Sequence, residues 1–404
     1  MSVQPNVNVG LAYKVETTFG VAPAASGAQY LRRVSSTLGP VKDTFESQEV
    51  RQDLQVYDMR HGMRQARGNI SGELSTATYD DLLEAALRGT WAAGVSVAPA
   101  DFATGVTVAT PGTTSTLTFA GAGNLITKGF KVGDIVRTTG FTNPANNSTT
   151  CGNLRIVALT STVMTVYPAI TAAAQQAAGW SVAVPGKKLQ FGTTKRSFTF
   201  EHNMNDALVF DRYSGVRVNG FRLGAAPNGM SNIDFELIGQ SFTIGTATQY
   251  FTTPTAETTT GLLSAVDGFI RLNGEEQGVV TQLQLDFTNN CSNAPVIGTN
   301  ISPEIYYGRM KMSGSVTAYL EDADLINVFV NESEVDLVAT LEASGAAPQD
   351  FLSFSIQRLK FQTPSRTIGA EGGVVATFPF QALLKPGGTG TVYDQTTMVI
   401  NRSN

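Results

Sequence analysis

The strongest constraint on what this chain can fold into is a recurrence: a run of features in its first half returns, in the same order, in its second. Leu38-Gly-Pro-Val41 is followed by a polar stretch, then by Arg64-Gln-Ala-Arg-Gly-Asn-Ile-Ser-Gly-Glu-Leu-Ser75, then by the acidic start of an apolar helical pattern, Tyr79-Asp-Asp-Leu-Leu-Glu-Ala-Ala-Leu87. Later, Gln277-Gly-Val-Val280 leads through a polar stretch to Gly308-Arg-Met-Lys-Met-Ser-Gly-Ser-Val-Thr317 and then to Glu321-Asp-Ala-Asp-Leu-Ile-Asn-Val-Phe-Val330. Each Ser-Gly pair lies inside an alternating strand. Asp80, Asp81, Glu321 and Asp322 sit where a helix N-terminus favours negative charge and read as helix-capping acids. A second set of strands follows in each copy, at 197–201, 215–223 and 233–238, and again at 351–361 and 373–384.

The copies differ in the connection between helix and second strand set. In the second half it reads as a short loop, 331–350, whereas in the first half it runs from Gly89 to Arg196. Between Val95 and Pro185 only six residues are charged, and short β-type runs (115–119, 134–139, 154–159, 163–166) alternate with turn signals such as Pro111-Gly112. The excess reads as an inserted β domain. The expected organisation is therefore a discontinuous first module at 1–94 and 187–244, an insertion at 95–186, a Thr- and Gly-rich surface linker at 245–262, and a second module at 263–404 with a C-terminal arm. Residues 1–30 and 385–404 look extended and polar, arms that would order against a neighbour.

Composition agrees with a mainly β chain: 15% charged residues and 40 glycines among 404 leave little material for long solvent-facing helices. A formal charge of −5 gives no basic footprint for gripping phosphate. No run approaches the roughly 18 apolar residues of a membrane span, and the first ten residues lack a signal-peptide pattern. A cytoplasm-like compartment is expected. Cys151 and Cys291, each in a polar turn-like setting, suggest neither a disulfide framework nor a zinc site.

Chemistry is hard to find. The two histidines, His61 and His202, lack carboxylates or cysteines at ligand spacing, and His61 reads as a contact residue on an exposed loop. No nucleophile elbow, phosphate-binding loop or dinucleotide fingerprint is present. No cofactor, metal or catalytic residue is expected. Alternation in Thr281-Gln-Leu-Gln-Leu-Asp-Phe287 puts Leu283, Leu285 and Phe287 on one face and Gln282, Gln284 and Asp286 on the other. That polar face either meets bulk water or lines a channel.

The segment from Leu31 to Arg51, continuing through Arg60-His-Gly62, 68–75 and 79–91, resembles the tail tube (major tail) proteins of bacteriophages with long non-contractile tails, and so does the second half from Gly268 through 308–315 to Phe329. Together these cover most of the chain outside the insertion. The resemblance implies a mainly β fold: two tail-tube-type β-sandwich modules, each with one short helix, plus an inserted small β-sandwich (Ig-like) domain. It implies a structural virion protein of the two-module type. Three chains would close a ring of six modules, and the rings would stack head to tail into a hollow tube that conducts DNA. Implied partners are further copies of the chain, tail tip and tail terminator proteins and a tape measure protein, assembled in the host cytoplasm.

On that reading the loop at 46–65 is the inter-ring connector, with Glu46, Glu49, Arg51, Asp53, Asp58, Arg60, His61 and Arg64 as contacts. Asn69, Ser71, Glu73, Gln282, Gln284 and Asp286 are the lumen candidates, because a conduit must avoid phosphate affinity; Lys311 fits only if paired or turned away. The insertion would project outwards. The runner-up reading is another virion or surface element, such as a baseplate hub, a head decoration protein or an Ig-like adhesin. A carbohydrate-active protein would need clustered aromatics and paired carboxylates, which Trp91 and Trp180 do not supply.

Overall fold

The computed structural model describes residues 3–272, 275–276, 279–321, 323–369, 372–387 and 390–403. The first half contributes β1 (Val9–Val15), β2 (Gly39–Glu46), β3 (Met59–Glu73), α1 (Asp80–Leu87), β4 (Lys187–Gln190), β5 (Phe198–Met204), β6 (Val209–Ala225), β7 (Asn232–Gly239) and β8 (Ser241–Thr246). The second contributes β9 (Leu263–Leu272), β10 (Val280–Thr288), β11 (Lys311–Tyr319), α2 (Asp324–Val330), β12 (Val335–Ala343), β13 (Phe351–Phe361), β14 (Ser365–Thr367), β15 (Val375–Ala382) and β16 (Val399–Arg402).

Pairing follows the same plan twice, antiparallel throughout. In the first half β1 pairs with β5, β5 with β6, β6 with β7 and β8, β7 with β3, and β3 with β2. In the second half β9 pairs with β12, β12 with β13, β13 with β15 and β16, β15 with β11, and β11 with β10. The two halves meet where residues 220–225 of β6 pair with 288–283 of β10. One apolar core runs through both, from Leu11 and Ile70 to Phe378 and Ile400.

Alternation explains why these residues make strands. β10 buries Leu283, Leu285 and Phe287 and turns the residues between them outward. Across the joint, Ile70, Phe235, Phe221, Phe287 and Met312 stand opposite one another in successive strands on the core side. Each such buried side chain contributes about 1.5–3 kcal/mol. The long β6 serves two sheets, and its ladder with β5 shifts register between Phe198 and Phe200. Gly215 sits at that bend with φ +65, where a side chain would be strained and would meet the Gln240 Cβ at 2.7 Å.

Residues 96–183 form a separate eight-stranded sheet, ordered 173–176, 105–109, 115–120, 163–167, 154–159, 135–139, 181–183, 96–97. Its core is its own, built around Trp180, Phe102, Phe119 and Phe130. The sheet also touches the second half of the chain. Arg137 Nη2 donates to Gln349 O at 2.6 Å, Asn153 Nδ2 to Glu342 Oε1 at 2.9 Å and Gln357 Nε2 to Val132 O at 3.0 Å.

Three expectations need correction. The stretch 331–350 is not merely a loop: its middle is the nine-residue strand β12, whose Leu337, Val338, Ala339 and Leu341 are buried. The ends are not arms lying on a neighbour. β1 pairs along its whole length with β5, and β16 is inserted between β4 and β13, so that Met398, Val399 and Ile400 are core residues. A short apolar run suffices there because both edges of the strand are hydrogen-bonded. Finally, the supposed linker begins inside β8, and its continuation is stitched down: Glu201 accepts from Tyr250 N at 2.6 Å and Phe251 N at 3.0 Å, and Thr255 bridges Gln29.

Candidate assembly surfaces and channel face

The joined sheet presents one continuous polar face. Ser71, Asp234, Arg222, Asp286, Ser313 and Gln381 stand directly opposite one another across β3, β7, β6, β10, β11 and β15. The next rows are Asn69, Glu236, Gly220, Thr288, Lys311 and Glu73, Asn232, Gly224, Gln284, Ser315. Lumen candidates from the two halves of the sequence thus share one surface. Gln282 lies at its end, opposite Thr317. Ser71 Oγ donates to Asp234 Oδ1 at 2.5 Å and Gln284 Nε2 to Asp286 Oδ2 at 2.9 Å. Arg222 spans the joint to Asp286, which raises its already high pKa through their hydrogen bond. Lys311 is exposed at the margin of this face rather than turned away from it.

β2 and β3 continue past the sheet as a two-stranded ribbon whose tip is exposed over Glu49–Arg60. Glu46 pairs with Met59, and Ser47 N donates to Asp58 O at 2.9 Å. The tip's charges pair locally: Arg51 with Asp53 and Arg60 with Asp58, both at 3.1 Å, with Arg51 stacked 4.7 Å above Tyr57. Glu49 and His61 are exposed. Arg64 instead turns to the body, 5.8 Å above Phe242, and its backbone N–H reaches Asn300 O. The apolar residues are the surprise. Phe45, Val50, Leu54, Val56, Tyr57 and Met59 are all at least half exposed. A lone two-stranded ribbon is marginal in water.

The two acidic clusters diverge. Asp80 and Asp81 occupy the first turn of α1, but neither caps it; Tyr79 holds the cap position without a side-chain bond. They tie the helix to distant chain instead: Asp81 Oδ2 accepts from Tyr13 Oη at 3.0 Å, and Asp80 meets Arg402 at 2.6 Å. Burial pushes the Asp80 carboxyl up to about 6 against the pull of Arg402. Glu321 is exposed before α2, Asp324 opens that helix, and Asp322 lies outside the described residues.

Sequence reasoning missed the buried ionic ties. Lys188 Nζ lies 2.6 Å from both Asp134 of the inserted sheet and Asp394 of the C-terminal segment. The Glu16 carboxylate accepts from Ser197 Oγ, Thr199 Oγ1, Gly20 N and Gly215 N. Arg217, nearly fully buried, pairs with Glu304 and stacks on Phe19 and Tyr307. Apart from the Gly20 amide, these partners are more than 50 residues apart and leave no local spacing to detect. His202 is likewise structural, with its Nε2 2.9 Å from Ser36 Oγ and its ring edge-on to Tyr213. Among the described residues no group of three or more His, Cys, Asp or Glu is placed to hold a metal ion, and no helix is long and apolar enough to cross a membrane.

Among the described residues, the joined sheet ends in strands with one ladder partner each: the short strand Ser35–Ser36 and, after it, β2 pair only with β3, and β14 pairs only with β15. The family model described as phage tail tube protein matches residues 6–382. No curated protein matches the chain.

Proposed function

Because the chain belongs to the phage tail tube protein family, and so is a structural component of the virion tail, we propose that three copies close into a ring and that the rings stack into the hollow tube through which DNA passes. The observation carrying this reading is the β6·β10 joint. It already shows how the last inner strand of one copy of the repeat receives the first inner strand of the next. The same two kinds of strand end the joined sheet, with β13 and β14 as the counterparts of β6, and the short strand Ser35–Ser36, where Ser35 faces Ser71 as Asp286 faces Ser313, as the counterpart of β10. Repeating the joint between chains pairs the free edge of β14 with the Ser35–Ser36 edge of a neighbour. A closed ring removes lateral edges that would otherwise invite aggregation.

The polar face then lines the bore. Asp234, Glu236 and Glu73 repel phosphate there, and Arg222 and Asp286 neutralise each other. The ribbon tip at 47–58 leaves the ring at one end and meets the next ring, a head-to-tail contact that does not close and therefore builds a filament. Residues 95–186 form an outward domain carried once per chain. Tip and terminator proteins meet the two ends, and a tape measure protein occupies the bore during assembly.

Electron microscopy of the purified chain tests this directly. Hollow tubes with three outer projections per ring are expected. Six projections would overturn the stoichiometry, and monomers or discrete caps the tube itself.

A further inference from the structure

The two helices occupy the same place in the repeat but not the same environment. Leu82, Leu83, Ala85, Ala86 and Leu87 of α1 are all buried. Their counterparts in α2, following its first-turn aspartate in the same spacing, are Leu325, Ile326, Val328, Phe329 and Val330, and none is buried. The contrast is greatest at the C-terminal end, where Leu87 is 0% exposed and Val330 66%. Leu325, Ile326, Val328 and Phe329 rest on the core on one side only.

What covers α1 is informative. Part of its cover comes from the first half, through Tyr13, Leu189 and the backbone of Gly192. The rest comes from the second half, the next copy of the repeat. From the connection between β10 and β11, Asn289 Nδ2 donates to Ala86 O at 2.8 Å, and Tyr307 and Met310 close over Arg88 at the helix end. From β16, Arg402 pairs with Asp80 and lies 5.3 Å above the Trp91 ring. Among the described residues neither of these covers has a counterpart on α2, whose face stays open on that side.

We infer that the exposed face of α2, centred on Phe329 and Val330, is the seat of a second copy of this chain, and that the base of the neighbour's β2–β3 ribbon and its strand β8 fill it. The counterpart of the β10–β11 connection is the ribbon, and the counterpart of β16 is β8, which flanks β6 as β16 flanks β13. Both carry the apolar surface this requires: Val41 at the ribbon base, Phe45 further along it and Ile244 on β8 are exposed. Charge is complementary as well, with exposed Glu321 and Glu332 flanking the seat and exposed Lys42 on the ribbon. The inference rests on the ring reading and adds to it a contact on the flank of the ring, away from both the strand seam and the bore.

Two measurements on the full chain test it. A photo-crosslinking benzoylphenylalanine at position 330 is expected to join assembled chains, with adducts at residues 42–46, 59–64 or 241–246 of the other chain. Val330→Glu, at a position exposed in the single chain, is expected to keep the wild-type melting temperature while raising the concentration needed for tube formation by about tenfold or more, as for a central interface position. Wild-type tubes alongside Val330→Glu tubes forming at the same concentration, or adducts confined to other segments, would overturn the seat alone. A wild-type chain that remains monomeric overturns the ring reading and the seat with it.

Discussion

Arg222 Nε donates to Asp286 Oδ1 at 2.5 Å, linking side chains 64 residues apart in sequence on the two strands that weld the halves of the chain. On the other face of the same strands, the Phe221 and Phe287 rings lie with centroids 5.4 Å apart in the core. Solvent screens the ion pair, whose arginine side chain is 66% exposed, whereas the ring pair is dry. Arg222→Ala is therefore expected to lower unfolding free energy by less than about 1 kcal/mol, and Phe287→Ala by about 3–5 kcal/mol. Urea denaturation of the two variants checks the contrast; equal losses would mean that the ion pair, not the core, holds the joint.

Lys188 fastens three parts of the chain at once. Replacing it by Met leaves Asp134 and Asp394 facing each other in the interior without a cation, at an expected cost of about 3–5 kcal/mol. Burial already pushes the Asp134 carboxyl up. A carboxyl raised in the folded state favours folding most at low pH, so the variant's deficit should shrink as pH falls towards 4. Denaturation midpoints of both proteins across that range measure it.

His202 sets an acid limit. Burial, with Arg33 nearby, lowers its pKa to about 4, while the unfolded chain titrates near 6.5. Its contribution is complete above 6.5 and is lost as pH falls towards 4, because only the unfolded chain takes up the proton. The loss amounts to about 3 kcal/mol at about 1.4 kcal/mol per unit. His202→Gln should flatten the pH dependence of stability in that window; an unchanged slope would place the titrating group elsewhere.

The bore assignment makes a prediction about DNA. Asp234→Lys combined with Glu236→Lys puts two cations per chain on the polar face, and tubes of this variant should retain duplex fragments with an affinity that falls steeply with salt. Wild-type tubes should retain none. Retention by both alike, measured by co-sedimentation, would place this face outside the channel.

Much of the inner sheet was legible in sequence because it is written in local alternation. The stretch 281–287 reads directly as core and polar faces, and the Ser-Gly strands with the acidic helix starts mark the repeat. The outer sheets were not legible. β1 pairs with β5 nearly 190 residues away, and β16 reaches β4 over a comparable distance. Neither strand has the length or regular alternation to announce burial. The equivalence of β8 with β16 is topological, carried by a shared neighbour rather than by similar residues. Asp80 and Asp81 look like capping acids because their positions suit the helix dipole; their actual partners, Arg402 and Tyr13, come from segments that looked like arms.

Residues 247–262 carry a further consequence. In a polymer of single copies, every joint like β6·β10 would begin as a collision between molecules, at an entropic cost of roughly 4–15 kcal/mol. Here the chain makes that joint by closing a tether, and such a cost grows only with the logarithm of tether length. One seam in two is thereby complete before any second molecule arrives, so the ring proposed here forms from fewer independent encounters. The two copies, bound to inherit each other as neighbours, are also free to specialise: one buries its helix at home, and the other keeps its helix for a stranger.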